Sequence, residues 1–239
     1  MELTHASAAW SCGKSYEISN SLPDFDFISI GETQLNILYF GDDAVITFRG
    51  TDDIKDWFKN LKVFKTKYSD IGPGCCHLGF REAYDSVRHK IKYKLKNKCV
   101  KNVHIAGHSL GGALALLCAL DLTYNHCFRV KSVHTFGCPR VFDPKMAKYY
   151  NRHLYNVTYR WVNNSDIVCR YPKIGYNHVG KLFYIDKSCK LHYSISIMSY
   201  IKDIALGYLN GFKKLKVDSL IDHNINKYLS NIKHIYYKV

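Results

Sequence analysis

The stretch that decides the fold is Gly107-His108-Ser109-Leu110-Gly111-Gly112, which lies between a short apolar run at 103–106 and a long apolar run at 110–122. The first run has the length of a buried strand, and the second is apolar on nearly all sides, as expected of a helix packed inside a domain. Where a strand turns sharply into a helix, the side chain of the residue at the turn is exposed for reaction. Glycine on either side lets neighbouring backbone approach the turn. The pattern therefore predicts that Ser109 is a nucleophile at a helix N-terminus, where developing negative charge is favoured.

Predicted strands and helices alternate along the rest of the chain. Strands at 36–40 and 44–49, joined by a turn at 41–43, predict an antiparallel hairpin near the N-terminus. The remaining predicted elements are a helix at 80–97, strands at 130–136, 157–162 and 182–185, and a helix at 201–209 that ends at Gly211. This alternation predicts one α/β domain over 1–239, with a mostly parallel central sheet flanked by helices.

Composition narrows the class of protein. The 239 residues are 47% apolar and 23% charged, which disfavours intrinsic disorder and a coiled coil. The longest uncharged apolar stretch, 110–120, is far shorter than the roughly 20 residues that span a bilayer. The N-terminal residues lack the basic flank and apolar core of a secretory signal, so an intracellular protein is expected rather than a classically secreted one. The nine cysteines form no CxxC pair, which disfavours structural zinc.

The charge balance is strongly basic. Lys and Arg together number 34 against 20 acidic residues, a formal net charge of +14. Such a charge favours a polyanionic partner: nucleic acid, an anionic membrane or an acidic protein. Lys, Asn, Ile and Tyr are all abundant and have AT-rich codons, so compositional drift is an alternative source of the charge. The sequence leaves both explanations open.

A serine nucleophile in this kind of fold is followed along the chain by an acid and then by a histidine. The candidate acids after the motif are Asp121, Asp143, Asp166, Asp186 and Asp203. Asp166 directly follows the strand predicted at 157–162, so its carboxylate is expected at the same edge of the sheet as Ser109. Asp186 also ends a predicted strand and is the alternative.

Four histidines follow Asp166 and could serve as the base: His178, His192, His223 and His234. His223 lies just before a predicted helical tail and is favoured by position. His178 lies between glycines in Gly175-Tyr176-Asn177-His178-Val179-Gly180, where it could hold a loop instead. The residues alone leave the choice between these two open.

An oxyanion requires donors close to the nucleophile. The predicted donors are Thr51, which follows the strand at 44–50, and the backbone N–H of Leu110. Thr51 could also cap a helix over 52–60. The apolar residues of that segment are Ile54, Trp57 and Phe58, and they predict a short lid that opens at a lipid surface. Packing of Trp57 and Phe58 into the core is the alternative.

Together these segments resemble the class 3 lipase family, the fungal-type triacylglycerol lipases and the related plant phospholipases A1. The resemblance covers about residues 35 to 230. The segments that carry it are Phe48-Arg49-Gly50-Thr51, Asp56-Trp57, His77-Leu78-Gly79-Phe80, Gly107 to Gly112, Thr135 to Val141, Ser165-Asp166-Ile167-Val168, Tyr176 to Gly180, and Asp222-His223 with Tyr228-Leu229. Cys138 and Cys169 depart from the family pattern.

The resemblance implies an α/β-hydrolase fold and a serine ester hydrolase with Ser109 as nucleophile, Asp166 as acid, His223 as base and Thr51 as oxyanion donor. It assigns His178 to structure and implies no metal and no cofactor. The implied substrate is a lipid ester at an interface, of the triacylglycerol lipase type. A phospholipase A1 on anionic membranes and a non-catalytic basic lipid-surface-binding protein are the alternatives, and nucleic acid is not expected as a partner. The oligomeric state stays open.

Overall fold

A computed structural model describes residues 3–15, 24–51, 64–124, 128–194 and 221–237. Its helices are α1 (His5–Lys14), α2 (Leu78–Asn97), α3 (Leu110–Tyr124), α4 (Pro144–Leu154) and α5 (Ile225–Tyr237). Its strands are β1 (Phe25–Ile30), β2 (Thr33–Phe40), β3 (Asp43–Phe48), β4 (Lys65–Lys67), β5 (Cys75–His77), β6 (Asn102–His108), β7 (Arg129–Phe136), β8 (Thr158–Asn163), β9 (Lys181–Ile185) and β10 (Leu191–His192). The helix predicted at 201–209 lies outside the described residues.

An eight-stranded sheet in the order β1-β2-β3-β6-β7-β8-β9-β10 forms the centre of the fold. In this sheet the strands β3, β6, β7, β8 and β9 run parallel to one another. The strands β1 and β2 form an antiparallel entry to β3, and β10 returns antiparallel to β9. A separate two-stranded sheet pairs β4 with β5 antiparallel. The predicted α/β class, the mostly parallel sheet and the N-terminal hairpin are confirmed. The carboxyl ends of the parallel strands meet at one edge, which places the segments after β3, β6, β7 and β8 together.

One face of the sheet is covered by α2 and α3. Nearly every side chain of α3 is buried, which explains why its sequence is apolar on all sides. The charged residue of this helix is Asp121, whose carboxylate is buried. It accepts hydrogen bonds from Tyr84 and Arg88 at 2.8 and 2.7 Å and forms an ion pair with Lys92 at 2.9 Å. Because a buried charge needs partners, this network fixes α2 against α3.

The opposite face is covered by α1 and α5, which pack against each other. Their buried side chains, including Cys12 and Ile232, join Phe136, Trp161 and Ile185 from the strands in a second core. The sequence predicted a helical tail at α5 but neither α1 nor β1. The second layer is therefore built by the two ends of the described chain, and it carries the residues next to the site.

Within the described ranges, no helix is both long enough and apolar enough to cross a membrane.

Candidate active site

Ser109 occupies the sharp turn between β6 and α3. It is the single residue between the two elements, and its φ of +58° lies in the left-handed region that non-glycine residues rarely adopt. Its N–H donates to the carbonyl oxygen of Phe136 at 2.9 Å, and its own carbonyl accepts from the N–H of Gly112 at 3.0 Å. The turn is thereby tied to β7, and the strain is held by hydrogen bonds on both sides of the serine.

Two glycines of the motif are required by close backbone contacts. A Cβ atom on Gly107 would lie 2.1 Å from the carbonyl oxygen of Gly111, and a Cβ on Gly111 would lie 2.4 Å from that of Phe48. Neither backbone can move away without breaking the strand or the helix. The glycines therefore allow the end of β3, the turn and α3 to meet at one point.

The structure brings Asp166 and His223 together in a fully buried pair. Nδ1 of His223 lies 2.9 and 3.0 Å from the two carboxylate oxygens of Asp166. The carboxylate also accepts from the N–H of Val168 at 2.9 Å and from the hydroxyl of Tyr228 at 2.6 Å. These contacts place the proton of the imidazole on Nδ1 and leave Nε2 as the atom that can accept one.

Burial alone would raise the pKa of Asp166, but the charge of His223 and the hydrogen bonds from His223, Tyr228 and Val168 outweigh it and hold that pKa below its ordinary value. The pKa of Tyr228 is raised well above its ordinary value by burial and by the neighbouring Asp166 charge. At neutral pH the carboxyl is therefore ionised, and the phenol keeps the proton that it donates.

His108 contacts His223 through a hydrogen bond and through its ring. Its Nε2 lies 2.6 Å from the carbonyl oxygen of His223, and the two rings are 4.6 Å apart. Burial, with a contribution from the charge of His223, lowers the pKa of His108 to about 3. A neutral imidazole facing a carbonyl must donate, so His108 carries its proton on Nε2 and holds the backbone of His223.

Asp222 ties the histidine segment to the aspartate segment. Its carboxylate accepts from Nδ2 of Asn164 at 2.9 Å and from the N–H of Ser165 at 3.2 Å. Lys227 pairs with the other oxygen at 2.8 Å, and Nδ2 of Asn163 donates to the carbonyl oxygen of Asp222 at 2.9 Å. Asp222 and His108 were not predicted from the sequence to have a role, although each is adjacent to a candidate residue.

Two polar atoms at the centre of the site are buried without a partner. Among the described residues, neither Oγ of Ser109 nor Nε2 of His223 has a hydrogen-bond partner. Other buried polar atoms of the described residues, such as the hydroxyl of Tyr68 and Nε1 of Trp161, also have no hydrogen-bond partner, so the chemistry of these two groups distinguishes the site. A hydroxyl and an imidazole nitrogen that is backed by a carboxylate are the groups required for nucleophilic attack with proton transfer.

Gly137 lies directly against the Asp166–His223 pair. Its φ is +61°, and a Cβ there would lie 2.7 Å from both Oδ2 of Asp166 and Nδ1 of His223. We expect Gly137→Ala to lose roughly 1–2 kcal/mol from the left-handed backbone and a further ~1–3 kcal/mol from the clash. The free energy of unfolding in urea measures the loss, and the downfield ¹H resonance of the His223 Nδ1 proton should shift or disappear.

Gly41→Ala is the matched control for this substitution. Gly41 has nearly the same φ, +59°, but a Cβ there meets nothing within 4 Å. It should therefore lose only the backbone contribution and keep the resonance. Equal losses of stability in the two variants would show that Gly137 makes no special contact.

The other described candidate acids, and the candidate bases His178 and His192, have different partners. Asp143 caps α4 by accepting from the N–H of Met146 at 2.7 Å, and Asp186 pairs with His192 at 2.7 Å on the surface. Asp121 lies in the ion network of α2 and α3. His178 contacts the carbonyl oxygen of Cys169 at 2.7 Å, which holds the loop as the resemblance implied. Asp203 lies outside the described residues.

The predicted oxyanion donors follow two elements that meet at the turn. Leu110 is the first residue of α3, and the first amides of a helix have no acceptor within it. Thr51 follows Phe48 and Arg49, whose carbonyl groups pack against Gly111. The predicted lid residues Ile54, Trp57 and Phe58 lie outside the described residues. Among those described, no group of three or more His, Cys, Asp or Glu side chains is arranged to hold a metal ion.

Comparison with known proteins gives lipases and phospholipases A1 among the relatives. The chain is 34% identical to a lipase of Rhizomucor miehei over 150 residues, which are 59% of this chain and 41% of that protein. It is 30% identical to phospholipase A1-II 1 of Oryza sativa over 170 residues, 60% of this chain and 43% of that protein. The chain thus spans less than half the length of these two relatives.

Solved structures agree with the sequence relatives. A deletion mutant of the Rhizomucor miehei lipase propeptide complex matches with a TM-score of 0.68 at 26% identity, covering 84% of this chain and 74% of that one. A triacylglycerol lipase whose catalytic centre is formed by a serine protease triad matches with a TM-score of 0.63 at 28% identity, covering 79% and 80%. The family model described as lipase (class 3) matches residues 45–176, more than half of the chain. The chain belongs to the class 3 lipase family.

Proposed function

We propose that this chain is a serine ester hydrolase that cleaves acyl esters of lipids, with Ser109 as nucleophile, His223 as general base and Asp166 as the orienting acid. The observation that carries the proposal is the buried Asp166–His223 pair. Among the described residues neither Nε2 of His223 nor Oγ of Ser109 has a hydrogen-bond partner. Ser109 is bonded through its N–H to Phe136, the residue before Gly137, which lies against the pair. A hydroxyl is a weak nucleophile unless a base takes its proton, and this arrangement supplies the base.

In this proposal the reaction has two stages. Nε2 of His223 takes the proton of Ser109 as Oγ attacks the carbonyl carbon, and Asp166 stabilises the imidazolium that forms. When the tetrahedral intermediate collapses, His223 gives the proton to the leaving alcohol and an acyl-serine remains. Water repeats these steps, so that the fatty acid leaves and Ser109 regains its proton.

The oxyanion is held in this proposal by the N–H of Leu110 and by Thr51. Leu110 contributes the helix N-terminus of α3, where partial positive charge accumulates. Thr51 can contribute its hydroxyl and its N–H from the end of the β3 segment. A lid over the lipid substrate stays a prediction. It would be formed by Ile54, Trp57 and Phe58, which follow Thr51 in the sequence.

The substrate class in this proposal is an acylglycerol, and the site acts at a lipid interface. Relatives named as lipases and as mono- and diacylglycerol lipases support it. The second candidate is a phospholipase A1 activity on anionic membranes. It is favoured by the rice phospholipase A1 among the relatives and by the net charge of +14.

A side-by-side assay tests the proposal. Purified protein is offered triolein, a soluble short-chain ester, and neutral and anionic phospholipid vesicles, and the fatty acid that is released is measured. We expect turnover of the short-chain ester and of triolein. Preferred release from anionic phospholipid would favour the second candidate, and no release from any substrate would refute an ester hydrolase.

A further inference from the structure

Ile174 is the most exposed large apolar side chain of the described residues, with 87% of its surface accessible. Its loop is held in place rather than loose. Nη1 of Arg140 donates to the carbonyl oxygens of Arg170 and Pro172 at 2.7 and 2.8 Å. The backbone N–H of Arg140 donates to the carbonyl oxygen of Tyr171 at 2.7 Å. These contacts hold the backbone at 170–172, which leads into Ile174.

Lys173 directly precedes this isoleucine, and Nζ of Lys65 lies close to Gly175, which follows it. Each lysine lies over an aromatic ring. Nζ of Lys173 lies 5.5 Å from the ring centre of Tyr171, and Nζ of Lys65 lies 5.2 Å from that of Tyr176. Neither lysine makes an ion pair with an acidic residue in the part of the chain that the structure describes. Residues 64–67 and 170–176 contain four basic residues and no acidic one.

A single exposed isoleucine is ordinary on a protein surface, but two further exposed apolar side chains belong to segments at the same edge of the sheet. Phe64, adjacent to Lys65, is 59% exposed, and Ile221, two residues before His223, is 51% exposed. The loop that bears Ile174 is anchored by Arg140, three residues after Gly137, which touches the Asp166–His223 pair. Exposed apolar side chains and unpaired lysines therefore lie at the edge that contains Ser109.

We propose that Phe64, Lys65, Lys173, Ile174 and Ile221, which we call the docking rim, bind an anionic lipid surface and deliver its lipid to the site. The apolar side chains enter the boundary between headgroups and acyl chains, and the lysines pair with anionic headgroups. A nucleic acid would match the charge but leaves three exposed apolar side chains without a role. The inference rests on the proposed function, since it names the surface from which that site draws its substrate.

Vesicle partitioning tests the docking rim, and it is measured in Ser109→Ala protein so that hydrolysis does not alter the lipid. We expect Ile174→Asp to weaken partitioning onto vesicles that contain phosphatidylglycerol by about tenfold or more. Lys173→Gln should weaken it by about fivefold, and added salt should weaken it in the parent protein. Pure phosphatidylcholine vesicles should bind less and show little response to Lys173→Gln.

Matched control variants lie at the opposite edge of the sheet. Phe40 is 49% exposed at the end of β2, and Lys101 is exposed beside Asp42. Phe40→Asp and Lys101→Gln should bind vesicles as the parent does. Equal losses in these controls, or parental binding by Ile174→Asp, would overturn the proposal. So would Lys173→Gln weakening the binding of an oligonucleotide while leaving vesicle binding intact.

A second readout separates this inference from the proposed function. With Ser109 present, Ile174→Asp should turn over a soluble short-chain ester at the parental rate, because the side chain does not touch the reacting groups. Failure of the ester hydrolase proposal would appear as no turnover in the parent, while the vesicle measurements would still decide the docking rim.

Discussion

Replacing Ser109 with Ala is expected to lower kcat on a soluble ester by at least about 10⁴-fold. The substitution removes the only atom that the proposed mechanism joins to the acyl group. Alanine at this position keeps a Cβ at φ +58°, so the turn, the hydrogen bond to Phe136 and the packing of α3 should persist. The rate is measured with substrate in excess, and circular dichroism verifies that the fold is retained.

Ser132→Ala is the matched control for this variant. Oγ of Ser132 lies 2.8 Å from Nδ1 of His104, so the pair is also a buried serine beside a histidine. It lies near the starts of β6 and β7, at the edge opposite to Ser109. Ser132→Ala should therefore keep its turnover rate. Parental turnover by pure Ser109→Ala protein would remove the serine from the mechanism.

Replacing Asp166 with Asn is expected to lower kcat by about 10⁴-fold while leaving KM nearly unchanged. The contacts of the carboxylate come from donors: Nδ1 of His223, the N–H of Val168 and the hydroxyl of Tyr228. The NH₂ group that replaces one carboxylate oxygen must face one of these donors. If it faces His223, it donates to Nδ1 and favours the tautomer protonated on Nε2, which cannot accept the proton of Ser109. The substitution also removes the charge that stabilises the imidazolium.

Asp186→Asn is the control, because Asp186 pairs with His192 in a surface aspartate–histidine pair after the next strand. We expect no more than a small change in kcat from it. If Asp186→Asn lost as much activity as Asp166→Asn, the acid would be misassigned. A rise in KM with kcat unchanged in Asp166→Asn would place the carboxylate in substrate binding instead.

Much of the site could be predicted because the turn at Ser109 is determined locally. An apolar run, two glycines and an apolar helix are adjacent in the sequence, and their geometry follows from backbone sterics. The edge position of Asp166 could be predicted as well, because the carboxyl ends of parallel strands lie side by side. The choice of His223 over His178 needed more than position, since a loop histidine and a catalytic one have the same sequence signal.

The supporting contacts could not be predicted because they join distant segments. Tyr228 reaches Asp166 across 62 positions, and His108 reaches the carbonyl group of His223 across 115. No periodicity encodes such pairs. The helix α4 was not predicted although its sequence contains the signals for it. An Asp143 cap followed by Pro144 marks its start, and its buried residues Met146, Ala147, Tyr150 and Leu154 have helical spacing.

The central claim is that Ser109 is a nucleophile activated by His223, and covalent labelling tests it most directly. A fluorophosphonate ester probe is incubated with folded protein, and intact mass and peptide mapping locate the adduct. We predict one adduct per chain, on Ser109, that is absent in Ser109→Ala and forms far more slowly in Asp166→Asn. Folded protein that gains no adduct, or that carries it on another residue, would contradict the account.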